Sequence, residues 1–187
     1  MDDTDLAITF FTLLTLVANA ASLGLVGLAV APARPPWTTL RADVIRSGLP
    51  VAWLVAAVSM GGSLWFSEVA GFEPCRLCWI QRACMYPLVA VLGVAVLRRR
   101  RPGAAGGWAE RLALAMAAVG AVVAGYHLLV ERFPQLESST CDPTNPCSLV
   151  WFERLGFVTL PYMALSGFVA IIALLLSSRP ARMEALA

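Results

Sequence analysis

The sequence predicts an all-α integral membrane protein: a four-helix transmembrane bundle with one extra N-terminal transmembrane helix. Hydrophobic residues make up 59% of the 187 residues and charged residues only 14%, whereas soluble domains carry roughly 25% charged residues. The mean hydropathy is +0.74. Five apolar runs are long enough to cross a bilayer. They must be helices, because the hydrocarbon offers no partner for backbone polar groups.

The first of these runs begins after the acidic stretch Met1–Asp5. A secretory signal peptide is basic there and has a shorter apolar core, so we expect a retained span with its N-terminus outside. The predicted spans, in chain order, are Leu6–Ala31, Leu49–Phe66, Trp79–Leu97, Leu112–Val130 and Phe157–Leu176.

The distribution of arginine predicts the orientation in the membrane. All 14 basic residues are arginine, and ten of them follow spans one, three and five, on the side that the positive-inside rule assigns to the cytoplasm. The other face receives the N-terminus, the Glu73–Cys78 segment and the Glu131–Gly156 loop. The ten are Arg34, Arg41, Arg46, Arg98, Arg99, Arg100, Arg101, Arg111, Arg179 and Arg182.

Nucleic-acid binding is not expected of this chain. Its net charge is only +2, and no basic stripe interleaves with aromatic residues.

Cys75 and Cys78 have the C-x-x-C spacing of dithiol redox sites, which is also half of a zinc site. They stand at the N-terminal end of span three, where the helix dipole and free N–H groups lower a thiol pKa. The thiolate is the nucleophile of disulfide exchange. A closed zinc site would need four ligands, and the chain holds one histidine, so we expect no metal.

Three polar side chains are candidates to assist this pair. Arg82 lies one helical turn beyond Cys78 on the same face, and Gln81 is close to that face. An arginine in a span indicates a functional site, although it could instead snorkel to the headgroups. His127, near the outer end of span four, is either packed and hydrogen-bonded or a donor and proton carrier.

A second pair, Cys141 and Cys147, lies in the outer loop between spans four and five. Two prolines with Asn and Asp predict a tight, exposed turn. The pair is either a disulfide that staples this loop or a second redox pair that exchanges electrons with the first. Cys84 falls on a different face from Cys78 and is interpreted as a small apolar residue.

These motifs resemble the DsbB family of disulfide bond formation proteins, over roughly spans two to five. The short spacing of the second pair is similar to the BdbC branch. On this resemblance we divide the chain into residues 1–47, an extra helix and cytoplasmic loop, and residues 48–187, a four-helix redox core. The matching residues are Cys75-x-x-Cys78-Trp79-x-Gln81-Arg82, Met85-Tyr86-Pro87, Tyr126-His127, Cys141 with Cys147, and Gly156-Phe157-x-x-Leu160-Pro161-x-Met163-Ala164.

The resemblance implies a quinone-linked thiol oxidase of the bacterial cytoplasmic membrane. Its partner would be a DsbA-like thioredoxin-fold oxidase, and its electron acceptor a membrane quinone, either ubiquinone or menaquinone. Cys141 and Cys147 would exchange with the partner, with the mixed disulfide at Cys141. Cys75 and Cys78 would receive the electrons, and Arg82 would stabilise the Cys78 thiolate and the reduced quinone. Gln81 and His127 would complete the quinone site.

Two features depart from this family pattern. The family core has four spans, whereas this chain adds one before it, and only five residues separate Cys141 from Cys147. The rival interpretations are a reductase of the vitamin K epoxide reductase type, a metal-binding or transport protein with cysteine ligands, and a non-catalytic scaffold stapled by disulfides. Arg82 beside Cys78 is what the scaffold interpretation leaves unexplained.

Overall fold

The fold is built from five long helices, as the sequence predicts. The computed structural model describes residues 3–32, 34, 36–99, 107–138 and 141–178, and within these ranges there is no β-strand. All five helices are long and apolar enough to cross a membrane, so the all-helical, five-span fold class is confirmed. They are α1 Asp3–Val30, α2 Trp37–Glu68, α3 Arg76–Arg99, α4 Trp108–Arg132 and α5 Leu160–Ser177, with a 3₁₀ turn at Pro134–Leu136.

The second helix starts well before the predicted span. It begins at Trp37 rather than at Leu49 and runs for 32 residues, which is about 48 Å of helix against about 30 Å of hydrocarbon. Hydropathy did not detect its first turns because they carry Arg41, Asp43 and Arg46. The helix is continuous through residue 48, so the division into residues 1–47 and 48–187 stays a prediction.

The fifth helix starts later than predicted. Phe157 lies in a turn that pairs Arg154 with Val158, and the turn needs positive φ angles at Leu155 (56°) and Gly156 (76°). Pro161 therefore falls in the first turn of α5. Its missing N–H has no helical acceptor there, so Pro161 does not interrupt the helix.

The helices α2, α3, α4 and α5 form a closed ring in which each packs against the next and α5 returns to α2. Small residues line their contacts, among them Ala52, Ala56, Ala113 and Ala117, all fully buried. Small side chains let helix backbones approach closely in a bilayer, where packing rather than hydrophobicity drives association. Helix α1 lies outside the ring, mainly against α5, and touches α2 less.

The basic end of the bundle lies opposite the four paired cysteines. There the Arg41 guanidinium donates to the carbonyl oxygens of Leu28 (2.8 Å) and Ala31, at the end of α1. Arg99 donates to the Ile45 carbonyl at 2.6 Å. Among the arginines that predict the orientation, four lie outside the described residues, namely Arg100, Arg101, Arg179 and Arg182.

Candidate active site

Both cysteine pairs lie at one end of the bundle: Cys75 and Cys78 where the α2–α3 connection enters α3, and the second pair on the connection from α4 to α5. Gly71, with a φ of 71°, lets the chain leave α2. Phe72 then stacks on Phe66 (5.7 Å between ring centroids) and on Trp151 (4.9 Å). These rings join the two connections and form an aromatic roof over the end of the bundle.

The two pairs differ in redox state and in burial. Cys141 and Cys147 form a disulfide, whereas Cys75 and Cys78 are free thiols with their Sγ atoms 3.0 Å apart. Cys147 is fully buried, but Cys141 is partly exposed. The loop disulfide thus offers one sulfur to the outside and keeps the other within the protein.

The loop of the second pair is a tight turn, in agreement with its proline, Asn and Asp content. Asp142 Oδ1 accepts hydrogen bonds from the Thr144 amide (2.9 Å) and hydroxyl (2.7 Å), and the Thr144 amide is the first cause of a lowered pKa at Asp142. The Glu137 carboxylate accepts the Cys147 amide N–H and the Ser148 hydroxyl. Glu137 therefore fixes the loop at Cys147 and Ser148 through these two hydrogen bonds.

His127 joins the two pairs. It is buried, and its Nε2 lies 3.0 Å from the Cys147 carbonyl oxygen and 3.6 Å from Cys75 Sγ. Its Nδ1 lies 2.9 Å from Gln81 Nε2. Because a carbonyl only accepts, Nε2 carries the proton, and in the neutral ring Nδ1 then accepts from the Gln81 amide. The same N–H is thereby directed toward both cysteine pairs.

Donors also surround the sulfur of Cys75, the residue that precedes α3. The Cys78 backbone N–H donates to Cys75 Sγ at 3.4 Å. A hydrogen bond from the Cys78 side chain, followed by that from His127, lowers the pKa of the Cys75 thiol to about 4 although burial opposes this. Near neutral pH the reduced site therefore holds its negative charge at Cys75.

Arg82 takes a position that its spacing from Cys78 did not specify. Its guanidinium donates to the Ser63 carbonyl of α2 at 2.9 Å and stacks over the Trp79 ring at 5.3 Å. Within the described part of the chain, no hydrogen bond joins it to either sulfur. Arg82 and Cys78 instead line the same cavity. Sequence spacing gave no sign of Ser63, because that contact crosses between helices.

This cavity, of about 500 Å³, lies between α1, α2 and α5 and extends to the start of α3. Cys78, Gln81, Arg82 and His127 supply its polar end, whereas Cys75 is not among its lining residues. Most of the remaining wall is apolar. The cavity thus combines one reactive sulfur with a long hydrophobic space.

The same residues also have to be considered as a metal centre. One ligand atom each from Cys75, Cys78 and His127 lies within 4.8 Å of the others, but structural zinc takes four ligands. The neighbouring group of Glu137, Cys141 and Cys147 has both sulfurs in the disulfide. The expected absence of a metal stays a prediction.

The remaining cysteine stands apart from this chemistry. Cys84 is a free, half-buried thiol that packs against the central core of the bundle. This position agrees with its interpretation as a small apolar residue.

Comparison with known proteins identifies a family. The model of the family "Disulfide bond formation protein DsbB" matches residues 46–145. That range includes six of the seven candidate residues and ends just before Cys147. It begins after α1.

Curated relatives extend the match. The chain is 38% identical over 125 residues to disulfide bond formation protein C of Bacillus subtilis, covering 66% of this chain and 86% of that protein. It is 36% identical over 128 residues to a probable disulfide formation protein of Oceanobacillus iheyensis, with 67% and 84% covered. A probable disulfide formation protein C 1 of Bacillus anthracis is 37% identical over 122 residues, with 64% and 83% covered. No solved structure matches the chain.

Proposed function

Because the chain belongs to the DsbB family of disulfide bond formation proteins, we propose that it is a quinone-linked thiol oxidase. It takes two electrons from a DsbA-like thioredoxin-fold oxidase and passes them through two cysteine pairs to a membrane quinone. The observation that carries this proposal is a continuous path. The partly exposed Cys141 is bonded to the buried Cys147, whose carbonyl contacts His127. Cys147 shares one buried cluster with Cys75, and Cys78 opens onto the cavity.

The burial of the loop disulfide supports the direction of the first exchange. A partner thiolate reaches Cys141, the more exposed sulfur, forms the mixed disulfide there and releases Cys147 as a thiolate. The second partner thiolate then attacks the mixed disulfide. The partner leaves with its disulfide, and the loop pair is left with the two electrons and two protons of the dithiol.

The second exchange is internal to the protein. Cys147 and Cys75 belong to one buried cluster, so attack of the Cys147 thiolate on a Cys75–Cys78 disulfide takes place at Cys75. Cys78 is then released as a thiolate at the cavity. Attack of Cys141 on the Cys75–Cys147 bond restores the loop disulfide and leaves Cys75 and Cys78 reduced, which is the redox state of this structure.

The cavity fits the electron acceptor. A quinone supplies the oxidant, since it takes up two electrons and two protons to become a quinol. An apolar space with polar groups at one end suits a ring with a hydrocarbon tail. Arg82 supplies positive charge at that end, and Gln81 with His127 orients hydrogen bonds there. The cavity gives no preference between ubiquinone and menaquinone.

The location follows from the same arrangement. We propose the bacterial cytoplasmic membrane, with the N-terminus and both cysteine pairs at the outer face and the C-terminus in the cytoplasm. Arg41, Arg98 and Arg99 lie at the opposite end of the bundle, which fits the positive-inside rule. The outer face is also where the chemistry belongs, because that compartment permits disulfides.

The test is quinone-dependent oxidation of a reduced thioredoxin-fold partner by the purified protein. We expect Arg82→Ala to lower turnover about tenfold or more, since a preorganised positive charge at the reacting atoms is lost. Arg76→Ala is the matched control, because Arg76 is exposed on the same helix and does not line the cavity. Turnover without quinone dependence, together with stoichiometric zinc or copper in the preparation, would overturn the proposal in favour of metal binding.

A further inference from the structure

Helix α1 supplies a wall of the cavity, although it lies before the residues that match the family model. Its lining residues run from Phe10 to Leu25, about 22 Å along the helix axis. They face α2 residues such as Leu54 and Val58 across a gap. The gap exists because α1 packs on α5 and contacts α2 only weakly.

Specific contacts hold α1 in this position at both ends. At the outer end the Phe11 ring fills the space beside Gly62, where a Cβ atom would lie 2.6 Å from Phe11 Cε1, and the same ring packs on Phe66 at 5.4 Å. At the inner end Arg41 of α2 binds the terminal carbonyls of α1.

Two further polar contacts attach α1 to the rest of the molecule. The Asn19 amide donates to the Tyr162 hydroxyl of α5 at 3.0 Å, and Asp5 pairs with Arg154 of the outer loop. A helix fixed by a ring packed against a glycine, a capped end, a partly buried amide and an ion pair has a defined position. The gap between α1 and α2 is therefore part of the fold.

The lining of the cavity, called the chamber below, changes from polar to apolar along its length. Its outer end holds Cys78, Arg82 and His127, whereas the part between α1 and α2 is lined by Leu14, Ala18 and Leu54. Leu14 and Leu54 are partly exposed, which opens this part sideways to the lipid. A ligand that matches both ends has a polar, reducible head and a long apolar tail.

We propose that α1 forms the binding wall for the isoprenoid tail of the quinone, so that the extra helix determines affinity for long-tailed quinones. This inference rests on the proposed function and adds a subsite to it. The tail lies between α1 and α2 while the head reaches Cys78. An acyl chain of a phospholipid is the competing occupant.

The experiment compares a quinone that carries an isoprenoid tail with the same ring lacking the tail. Ala18→Phe places a ring in the chamber, and Ala20→Phe places the same ring on the exposed outer face of α1 as the matched control. Dissociation constants are read from quenching of tryptophan fluorescence, since Trp151 lines the cavity. We expect Ala18→Phe to weaken binding of the tailed quinone about tenfold, the loss of roughly two buried methylene groups.

The tail-less ring should bind Ala18→Phe within about twofold of the unaltered chain, since burial of the ring itself is unchanged. Ala20→Phe should affect neither quinone. Equal changes for both quinones, or none, would overturn the role of α1 while leaving the proposed function in place. If neither quinone binds the unaltered chain or reoxidises it, the proposed function itself fails.

Photocapture on the unaltered chain does not depend on how a variant folds. A quinone with a photoreactive group on its tail is bound, irradiated and mapped by peptide mass spectrometry. Capture on α1 residues between Phe10 and Leu25 supports the proposal. Capture confined to α2 and α5, or phospholipid retained in the chamber at saturating quinone, overturns it.

Discussion

His127 illustrates how one side chain can serve two cysteine pairs. The Cys147 carbonyl can only accept, so it fixes the proton on Nε2, and the Gln81 amide donates to Nδ1. The N–H thus stays within 3.6 Å of Cys75 Sγ. Gln81 and His127 are both buried, so the hydrogen bonds are shielded from water and hold the ring in one orientation.

The low pKa of Cys75 gives a prediction for this residue. Replacing His127 with Phe removes an N–H donor, so we expect the titration midpoint of Cys75 in the reduced protein to rise above its value of about 4. The measurement is thiolate ultraviolet absorbance against pH, with Cys75→Ser subtracted as the blank. A midpoint that does not move would show that His127 does not stabilise the thiolate.

The same shift sets a pH dependence of stability. The folded pKa of Cys75 lies below its ordinary value of 9.0, so the stabilisation is complete only above that value. It declines as the pH falls toward about 4 and is absent below it. As the pH is lowered across this window, the free energy of unfolding of the reduced protein should therefore fall relative to that of the Cys75→Ser variant.

At the scale of elements, the contact of α4 with α5 depends on a glycine. A Cβ atom at Gly120 would lie 2.3 Å from Phe168 Cε1 and Cζ. Phe168 is fully buried and one of the largest side chains in the core, so an added Cβ atom would force its ring to move. The two helices approach as closely as they do because Gly120 leaves room for that ring.

Gly120→Ala should therefore cost about 1–3 kcal/mol of the free energy of unfolding, through overpacking. The matched control is Gly125→Ala on the same helix, where a Cβ atom would meet nothing within 4 Å. Its effect should stay within about 1 kcal/mol. Thermal unfolding midpoints in detergent measure both, and equal midpoints would contradict the role given to Gly120. Addition of Phe168→Leu should recover part of the loss.

At the scale of the whole molecule, the antiparallel ring separates the redox end from the basic end. The C-terminal ends of α2 and α4 lie at one end together with the starts of α3 and α5, whereas Val30, Trp37, Arg99 and Trp108 lie at the other. The proposed partner protein and the arginine-rich end would thus lie on opposite faces. The aromatic roof of Phe66, Phe72 and Trp151 covers the redox end.

The orientation can be measured with alkaline phosphatase fusions, which are active only outside the cytoplasm. A fusion after Ser148 should be active, whereas fusions after Pro36 and Gly107 should be inactive, because the arginine-rich connections stay inside. Protein levels of each fusion are the control. The reverse pattern would place both cysteine pairs in a reducing compartment and remove the proposed partner.

The sequence by itself determined the five spans, the pairing of the cysteines along the chain and the place of Cys75 and Cys78 at the head of α3. These follow from hydropathy and from spacing within one helix, which are local properties. Helix α2 begins before the predicted span because its first turns are charged, and α5 begins after Phe157 because the turn at Leu155 and Gly156 extends to Val158.

Only the tertiary structure decided what meets across helices. The His127 contact with Cys147, the Arg82 contact with the Ser63 carbonyl and the position of α1 against α5 join residues far apart in sequence. Such contacts depend on the rotation and depth of whole helices. Those are set by packing around small residues such as Gly62 and Gly120, and no local pattern in the sequence specifies them.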